Sequence, residues 1–503
     1  KARLPIMVVL GNPPYANFGR MNRNPWILGL LNDYKKDLNE KKLNLDDDFI
    51  KFIRFAQWRI EKTGHGMVGF ITNNSYIDGI THRRMRESLM RAFDEIYILD
   101  LHGSSKKKEK TPEGGKDENV FDITVGVSIL LTLRLAENAV PSGERKPARV
   151  FHAELWGDRK GKYDWLSQND ASQTSWTELA PVGPHFFFVP KDFDAGGDYE
   201  AGWKLSDVFS CFQNGIKTDR DDLFVDFDQT ELSERMRKFY SDEGISETFR
   251  ATFRVEDSSS YDLLSRRQKT RFDNQNIYPF LYRPFDVRWL YYSPGITSRP
   301  AYEVMRQMLA GGNKGLLVSR QAALGFRHVF VAAFLSNVNA IDTAGLFGSG
   351  PFFPLYLYPA DDELDTSAGR RPNLSPEFLK TLAEKLKLSQ TGPHKLPKGI
   401  TPEDIFHYAY AVFHSPTYRS RYAEFLKIDF PRLPITGSRD LFFRLAALGR
   451  DLVTLHLMES PKLNDLITEF PVKGTDLVDK IQYNDKDERV CINPEQYFGG
   501  VPS

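Results

Sequence analysis

The sequence predicts an α/β fold: a mostly parallel sheet over about the first 180 residues, followed by a mixed α+β domain. Three observations carry this. Short apolar runs alternate with amphipathic helical patterns between residues 6 and 133, the pattern of strand–helix units in a parallel sheet. The first apolar run ends in Asn12-Pro13-Pro14-Tyr15, which puts polar and aromatic groups where open α/β sheets gather their ligand chemistry. From about residue 180, Pro, Phe, Tyr and Trp become frequent and the strand patterns turn short and irregular.

Taken in order, residues 6–10 (Ile6-Met7-Val8-Val9-Leu10) form an uninterrupted apolar run and are expected to be a buried parallel strand. Residues 48–62 place Phe49, Phe52, Ile53, Ala56 and Ile60 on one helical face. Asp46-Asp47-Asp48 suits the start of that helix, and Gly64 its C-terminal cap. Residues 67–72 predict the next strand, 85–93 part of a helix, and 95–101 and 125–133 two further strands. Between those last two strands, residues 103–119 carry Lys106-Lys107-Lys108-Glu109-Lys110 and Gly114-Gly115-Lys116. Such a segment is expected to be mobile, as a solvated loop or as an arm that meets phosphates.

His185-Phe186-Phe187-Phe188-Val189-Pro190 marks the expected start of a new domain. Helices are expected at 375–387, 402–427 and 441–460, with a boundary near 436 after Pro431-Arg432-Leu433-Pro434. The expected division is therefore 1–180, 181–436 and 437–503, with no internal repeat.

Composition narrows the class. Lys plus Arg and Asp plus Glu number 67 each in 503 residues, so any nucleic-acid surface must be a local patch. Cys211 and Cys491 are the only cysteines, which argues against a disulfide framework or a Cys-based zinc site and suits a reducing cytoplasm. The longest apolar stretch, at 125–133, is too short to cross a bilayer. No metal site is expected.

The tetrapeptide has a specific chemistry. The prolines fix φ and keep the preceding residues extended, so the segment is stiff and rich in acceptors. The Asn12 side-chain oxygen and the Pro13 carbonyl can converge on one NH2 group. Two acceptors on an aromatic amine draw its lone pair out of conjugation and make the nitrogen a better nucleophile. Tyr15 can stack on the ring. A plain strand-ending turn, the competing reading of Asn-Pro, leaves Tyr15 and the preceding strand pattern unexplained.

Residues 11–15 resemble the motif of DNA methyltransferases that act on the exocyclic amine of adenine, in particular the gamma class. The wider text is similar to the methyltransferase and target-recognition region of type ISP restriction–modification enzymes, over nearly the whole chain. The segments that carry this include Asp48-Phe49-Ile50-Lys51-Phe52-Ile53-Arg54-Phe55, Gly69-Phe70-Ile71-Thr72-Asn73-Asn74-Ser75-Tyr76, Leu99-Asp100-Leu101-His102-Gly103 and Asn119-Val120-Phe121-Asp122-Ile123. Gly215-Ile216-Lys217-Thr218-Asp219-Arg220-Asp221, Tyr282-Arg283-Pro284-Phe285-Asp286 and Asp429-Phe430-Pro431-Arg432 continue it.

The resemblance implies a methyltransferase-like (Rossmann-like) sheet, S-adenosylmethionine as methyl donor, and double-stranded DNA as partner. It implies that Asn12 and Pro13 orient and activate the amine, that Pro14 stiffens the turn, and that Tyr15 and Phe121 sandwich a base turned out of the duplex. His102 is read as structural. The resemblance also implies nuclease and helicase domains in the same longer polypeptide. The gamma class carries a glycine-containing S-adenosylmethionine loop upstream of such a strand. Gly64-His65-Gly66 follows a helix and precedes a strand, the wrong context for that loop. The chain is accordingly read as an internal part of a longer enzyme.

Basic side chains in the second half suit DNA contact, Arg and Gln to base edges and Lys to phosphate. The candidates are Lys217, Arg220, Arg266, Arg267, Arg320 and Gln321; Arg83, Arg84 and Arg86 form another cluster on an early helix. Singly, each cluster is better read as a solvated or ion-paired surface; together, beside a methyltransferase core, they suit a target-recognition domain. The alternative to an enzyme is a DNA-recognition part without catalysis of its own. A methyltransferase acting on protein glutamine shares the tetrapeptide but not the large aromatic second half.

Overall fold

The structure, a computed structural model, describes residues 6–15, 21–38, 44–136, 146–322, 325–341, 350–359 and 369–502. The chain forms two compact units, residues 1–193 and 194–503.

The first unit is built on a six-stranded sheet ordered β1-β2-β4-β3-β5-β6. The strands are β1 (Val8–Gly11), β2 (Gly66–Asn73), β3 (Glu95–His102), β4 (Val127–Arg134), β5 (Arg149–Glu154) and β6 (Thr177–Leu179). β1, β2, β3 and β5 run one way, so the sheet is mostly parallel in direction; β4 and β6 run against them. β4 lies between β2 and β3 because it follows β3 without a crossover helix, which only an antiparallel neighbour permits.

Side chains alternate between the faces of this sheet. Val68, Phe70, Ile96, Ile98 and Leu130 meet Phe49, Ile53, Ala56 and Ile60 of α1 (Asp48–Thr63) and Met85 and Leu89 of α2 (Arg83–Ala92). Leu99, Leu101 and Val127 face the other way, into a smaller cluster with Ile71, Ile129, and Trp165 and Leu166 of α3 (Arg159–Gln168).

Several expectations for this unit differ from the structure. β1 pairs only with β2 among the described residues, where Val8 is 50% and Leu10 71% exposed and Val9 packs inward. An apolar run does not by itself fix how many neighbours a strand has. Phe52 is exposed as well, because the buried arc of α1 is swung towards Ile50, Arg54 and Gln57. Arg86 is no surface cation. Its guanidinium is wholly buried and donates to the carbonyls of Tyr76, Gly79 and His185. The contact with His185, together with Phe188 in the core, ties residues 185–189 to the first unit, which therefore runs to Phe193. Finally, the segment after β3 is anchored at its far end by a buried ion pair, Lys162–Asp117 at 2.7 Å.

Gly64 caps α1 as expected, at φ +90° with its N–H on Ile60 O.

The second unit has two four-stranded sheets and a helical part. One sheet joins the hairpin Ile277–Arg283/Asp286–Tyr291 to Val225–Asp226 and Leu335–Ser336. The other orders Val329–Ala332, Gly315–Val318, Pro351–Pro354 and Gln213–Asn214. The helix expected at 375–387 is α4 (Pro376–Lys385), capped by Ser375. The one expected at 402–427 is interrupted: α5 (Pro402–His414), opened by a Thr401/Asp404 capping box, ends at Ser415, and a short helix restarts at Pro416. The residue before a proline is driven out of helical geometry, and Ser415 is extended. α6 (Arg439–His456), capped by Ser438, crosses α5 and places Phe442, Ala446 and Val453 in the same core as Phe406, Tyr410 and Phe413.

Candidate active site

β1, β2 and β3 run in the same direction, so Asn12–Tyr15, Asn73-Asn74 and His102-Gly103 all emerge at one end of the sheet, where β4 begins. Asn12 and Pro14 are exposed there, Pro13 is buried and Tyr15 is half-buried. The Tyr15 ring meets Phe121, with centroids 5.8 Å apart and planes tilted by 56°. The Tyr15 hydroxyl is buried without a hydrogen-bond partner among the described residues. Burial pushes its phenol up to about 12.

Phe121 sits on a corner organised by Asn119, whose carboxamide oxygen accepts the Phe121 N–H at 2.8 Å. Its NH2 donates to Gly103 O at 3.0 Å and Val125 O at 2.6 Å. Gly103, at φ +84°, is required by this closeness: a Cβ there would stand 2.4 Å from the Asn119 Cα.

A polar group lies at the end of β3. Asp100 accepts from the Asn74 side chain at 2.9 Å and from the His102 N–H at 3.0 Å, and its burial raises the carboxyl above its usual range. His102, at φ +51°, stacks on Trp156 at 3.3 Å between centroids. Its ring nitrogens stand 3.6 Å from Asp100 and 3.5 Å from Glu154. Interaction with His102 holds the Glu154 carboxyl below its ordinary value. Sequence reasoning singled out neither Asp100 nor Asn74. The available signal was an acid inside the apolar run Ile98-Leu99-Asp100-Leu101.

The second-unit candidates separate into groups. Arg220 and Arg266 come together around Tyr261, with their guanidinium carbons at 5.9 Å and 5.3 Å from its ring centre. Lys217 pairs by its main chain with exposed Arg299, and its ammonium meets Asp219 at 2.5 Å. Arg220 donates to the carbonyls of Asp219, Arg254 and Glu256, and Arg266 to that of Thr297. Arg267 turns away, to the carbonyls of Phe239 and Ser241. Arg320 bonds Asp429 at 2.8 Å and is half-exposed beside half-buried Gln321.

Among the described residues no group of three or more His, Cys, Asp or Glu is arranged to hold a metal, and no helix is long and apolar enough to cross a membrane. Among the described residues the surroundings of Tyr15 are apolar and aromatic (Ile71, Leu101, Val120 and Phe121), which suits a flat ring rather than the charged ends of S-adenosylmethionine.

Comparison with known proteins gives the class, a restriction–modification methylase with a specificity domain. The family model "Eco57I restriction-modification methylase" matches residues 7–106. The model "Type ISP C-terminal specificity domain" matches residues 207–503, more than half of the chain. The chain belongs to this Type ISP family. Three solved structures share the fold over 100% of the chain. They are a DrdV–DNA complex (TM-score 0.74, 23% identity), a nuclease-deletion mutant of the Type ISP enzyme LlaGI with a DNA substrate mimic (0.72, 22%), and the ATP-dependent Type ISP enzyme LlaBIII bound to DNA (0.74, 22%). The chain spans 50%, 47% and 33% of their respective lengths. No curated protein sequence matches the chain.

Proposed function

We propose that this chain carries the base-binding and target-recognition parts of a DNA adenine-N6 methyltransferase within a restriction–modification enzyme. The observation that carries this is the meeting of Tyr15 and Phe121 beside Asn12 and Pro13 at the carboxyl end of β1. The Asn12 oxygen and Pro13 carbonyl accept hydrogen bonds from the two N–H groups of the adenine amine, which draws the nitrogen lone pair out of conjugation for attack. Pro14 keeps the segment stiff. S-adenosylmethionine supplies the methyl group, held by residues outside those described here. The amine loses its extra proton after transfer, so no dedicated base is required.

A base between two rings needs about 3.5 Å on each face, about 7 Å in all. The Tyr15 and Phe121 centroids stand 5.8 Å apart, so the rings separate by about 1 Å or more to admit it. The duplex lies on the second unit. Lys217, Arg320 and Gln321 suit direct contact, while Arg220, Arg266 and Arg267, committed to main-chain carbonyls, hold the surface in shape. Residues 1–193 serve the catalytic part and 194–503 target recognition; the expected extension at 437–503 is not separate, since α6 shares a core with α5, nor wholly helical, since Gln482–Asn484, Arg489–Cys491 and Tyr497–Phe498 form a small sheet. Nuclease and helicase domains in the same polypeptide, acting in the cytoplasm, complete the reading.

Transfer of radiolabelled methyl to adenine in duplex DNA by the full-length protein tests it; label on no adenine in any duplex defeats it. The second reading, a recognition part without catalysis of its own, is favoured by the span of the specificity-domain match. Calorimetry of this chain separates the two. Specific duplex binding with no S-adenosylmethionine binding supports the recognition part alone, and tight S-adenosylmethionine binding removes it.

A further inference from the structure

The corner that carries Phe121 contains no helix or strand, so its main-chain groups need partners from elsewhere. One helix supplies them to consecutive carbonyls. Lys162 Nζ donates to Glu118 O at 2.6 Å, Arg159 Nε to Asn119 O at 2.8 Å, Tyr163 Oη to Val120 O at 2.6 Å, and Arg159 Nη2 to Phe121 O at 3.1 Å. Arg159, Lys162 and Tyr163 are spaced three and four apart, so they share one face of α3.

Lys162 and Asp117 are both 0% exposed. The ammonium also donates to Leu101 O at 2.8 Å, which satisfies all three of its protons. The carboxylate accepts the N–H groups of Gly103 at 2.7 Å and Gly157 at 2.9 Å. A sequestered ion pair is a poor source of stability, because desolvation offsets its attraction. Its effect here is geometric: it locks the end of β3, the corner and the start of α3 to one another.

The geometry points to α3 as a brace that fixes the Phe121 ring as the stationary jaw of the base clamp, with Arg159, Lys162 and Tyr163 as positioning residues. Tyr15 faces it at 5.8 Å between centroids, with a hydroxyl that has no partner among the described residues. The role of the brace rests on the base-clamp reading above. The brace converts the conformation of α3 into the spacing of the clamp, so loosening it costs base capture before it costs duplex binding.

The test uses the full-length protein. Its methylated position is mapped on genomic DNA, and 2-aminopurine, which brightens when unstacked, then replaces that adenine in a duplex. Tyr163→Phe removes only a hydroxyl, and Arg159→Ala removes a side chain at the surface; both avoid the buried ion pair, whose loss alone could unfold the unit. Each is expected to bind the duplex as the parent does. The fluorescence rise should fall about three- to tenfold, the worth of one net hydrogen bond, with Arg159→Lys recovering part of it. Variants that lower Tm yet keep the parental rise overturn the brace. If the parent itself leaves no methyl mark or gives no rise, the base-clamp reading fails instead.

Discussion

Asn12 and Tyr15 are adjacent in the site but answer to different physics. Asn12 is exposed and acts only when an amine is present, so Asn12→Ala should leave folding and duplex affinity intact. Methyl transfer in a single turnover should fall about 10²- to 10³-fold, the range for losing one aligned polar group at a reacting centre; a loss of duplex affinity instead would refute the assignment. Tyr15 has a buried hydroxyl with no partner among the described residues, and a group in that state costs stability. Tyr15→Phe should therefore hold or raise Tm, and a drop of several degrees would reveal a partner. The phenol, pushed up to about 12 by burial, favours its neutral form in the fold. Its contribution is complete below the ordinary tyrosine range near 10 and is lost as pH rises through about 12. Other buried tyrosines such as Tyr76 and Tyr408 are raised as well, so alkaline absorbance titration of Tyr15→Phe should show one late phenol fewer than the parent.

Helix pairs and strand ends set what these residues can do. α5 and α6 pack closely enough that a Cβ on Gly449 would lie 1.8 Å from the His407 carbonyl oxygen. That neighbour is backbone and cannot rotate aside. Gly449→Ala should thus cost at least about 1–3 kcal/mol by overpacking, although alanine favours helix over glycine; thermal melting with no loss of stability would mean that the helices separate freely. The cap at Gly64 was legible in the sequence, because a cap is decided within a few residues; those at Ser375, Thr401 and Ser438 are equally local but were not singled out. The break at Ser415-Pro416 was equally local and was passed over because apolar residues continue on both sides. The insertion of β4 between β2 and β3 was not legible, since it depends on which distant strand is the neighbour.

At the scale of the molecule, a chain with no net charge must bind DNA through a local patch, and salt dependence identifies its members. Lys217→Ala should reduce the slope of log affinity against log salt by about 0.9, one phosphate's worth. Arg267→Ala, which frees the carbonyls of Phe239 and Ser241, should lower Tm and leave the slope alone. The opposite pattern would assign the phosphate contact to Arg267 in place of Lys217. This sorting of arginines is invisible in one dimension. Arg86 and Arg84 stand two residues apart, yet one is wholly buried on three carbonyls and the other is ion-paired with Glu87 at the surface.

The sequence by itself determined the alternation of strands and helices, the Gly64 cap, and the position of Asn12-Pro13-Pro14-Tyr15 at a strand end, because each follows from side-chain period or from bonds among near neighbours. Its resemblance to the type ISP enzymes also anticipated Phe121 opposite Tyr15. Only the tertiary structure decided that the two rings touch at 5.8 Å, and that the corner behind Phe121 hangs on Asp117 and Lys162, 45 residues apart. Which donor satisfies which carbonyl is a matter of chain segments meeting in space, and no local pattern records it.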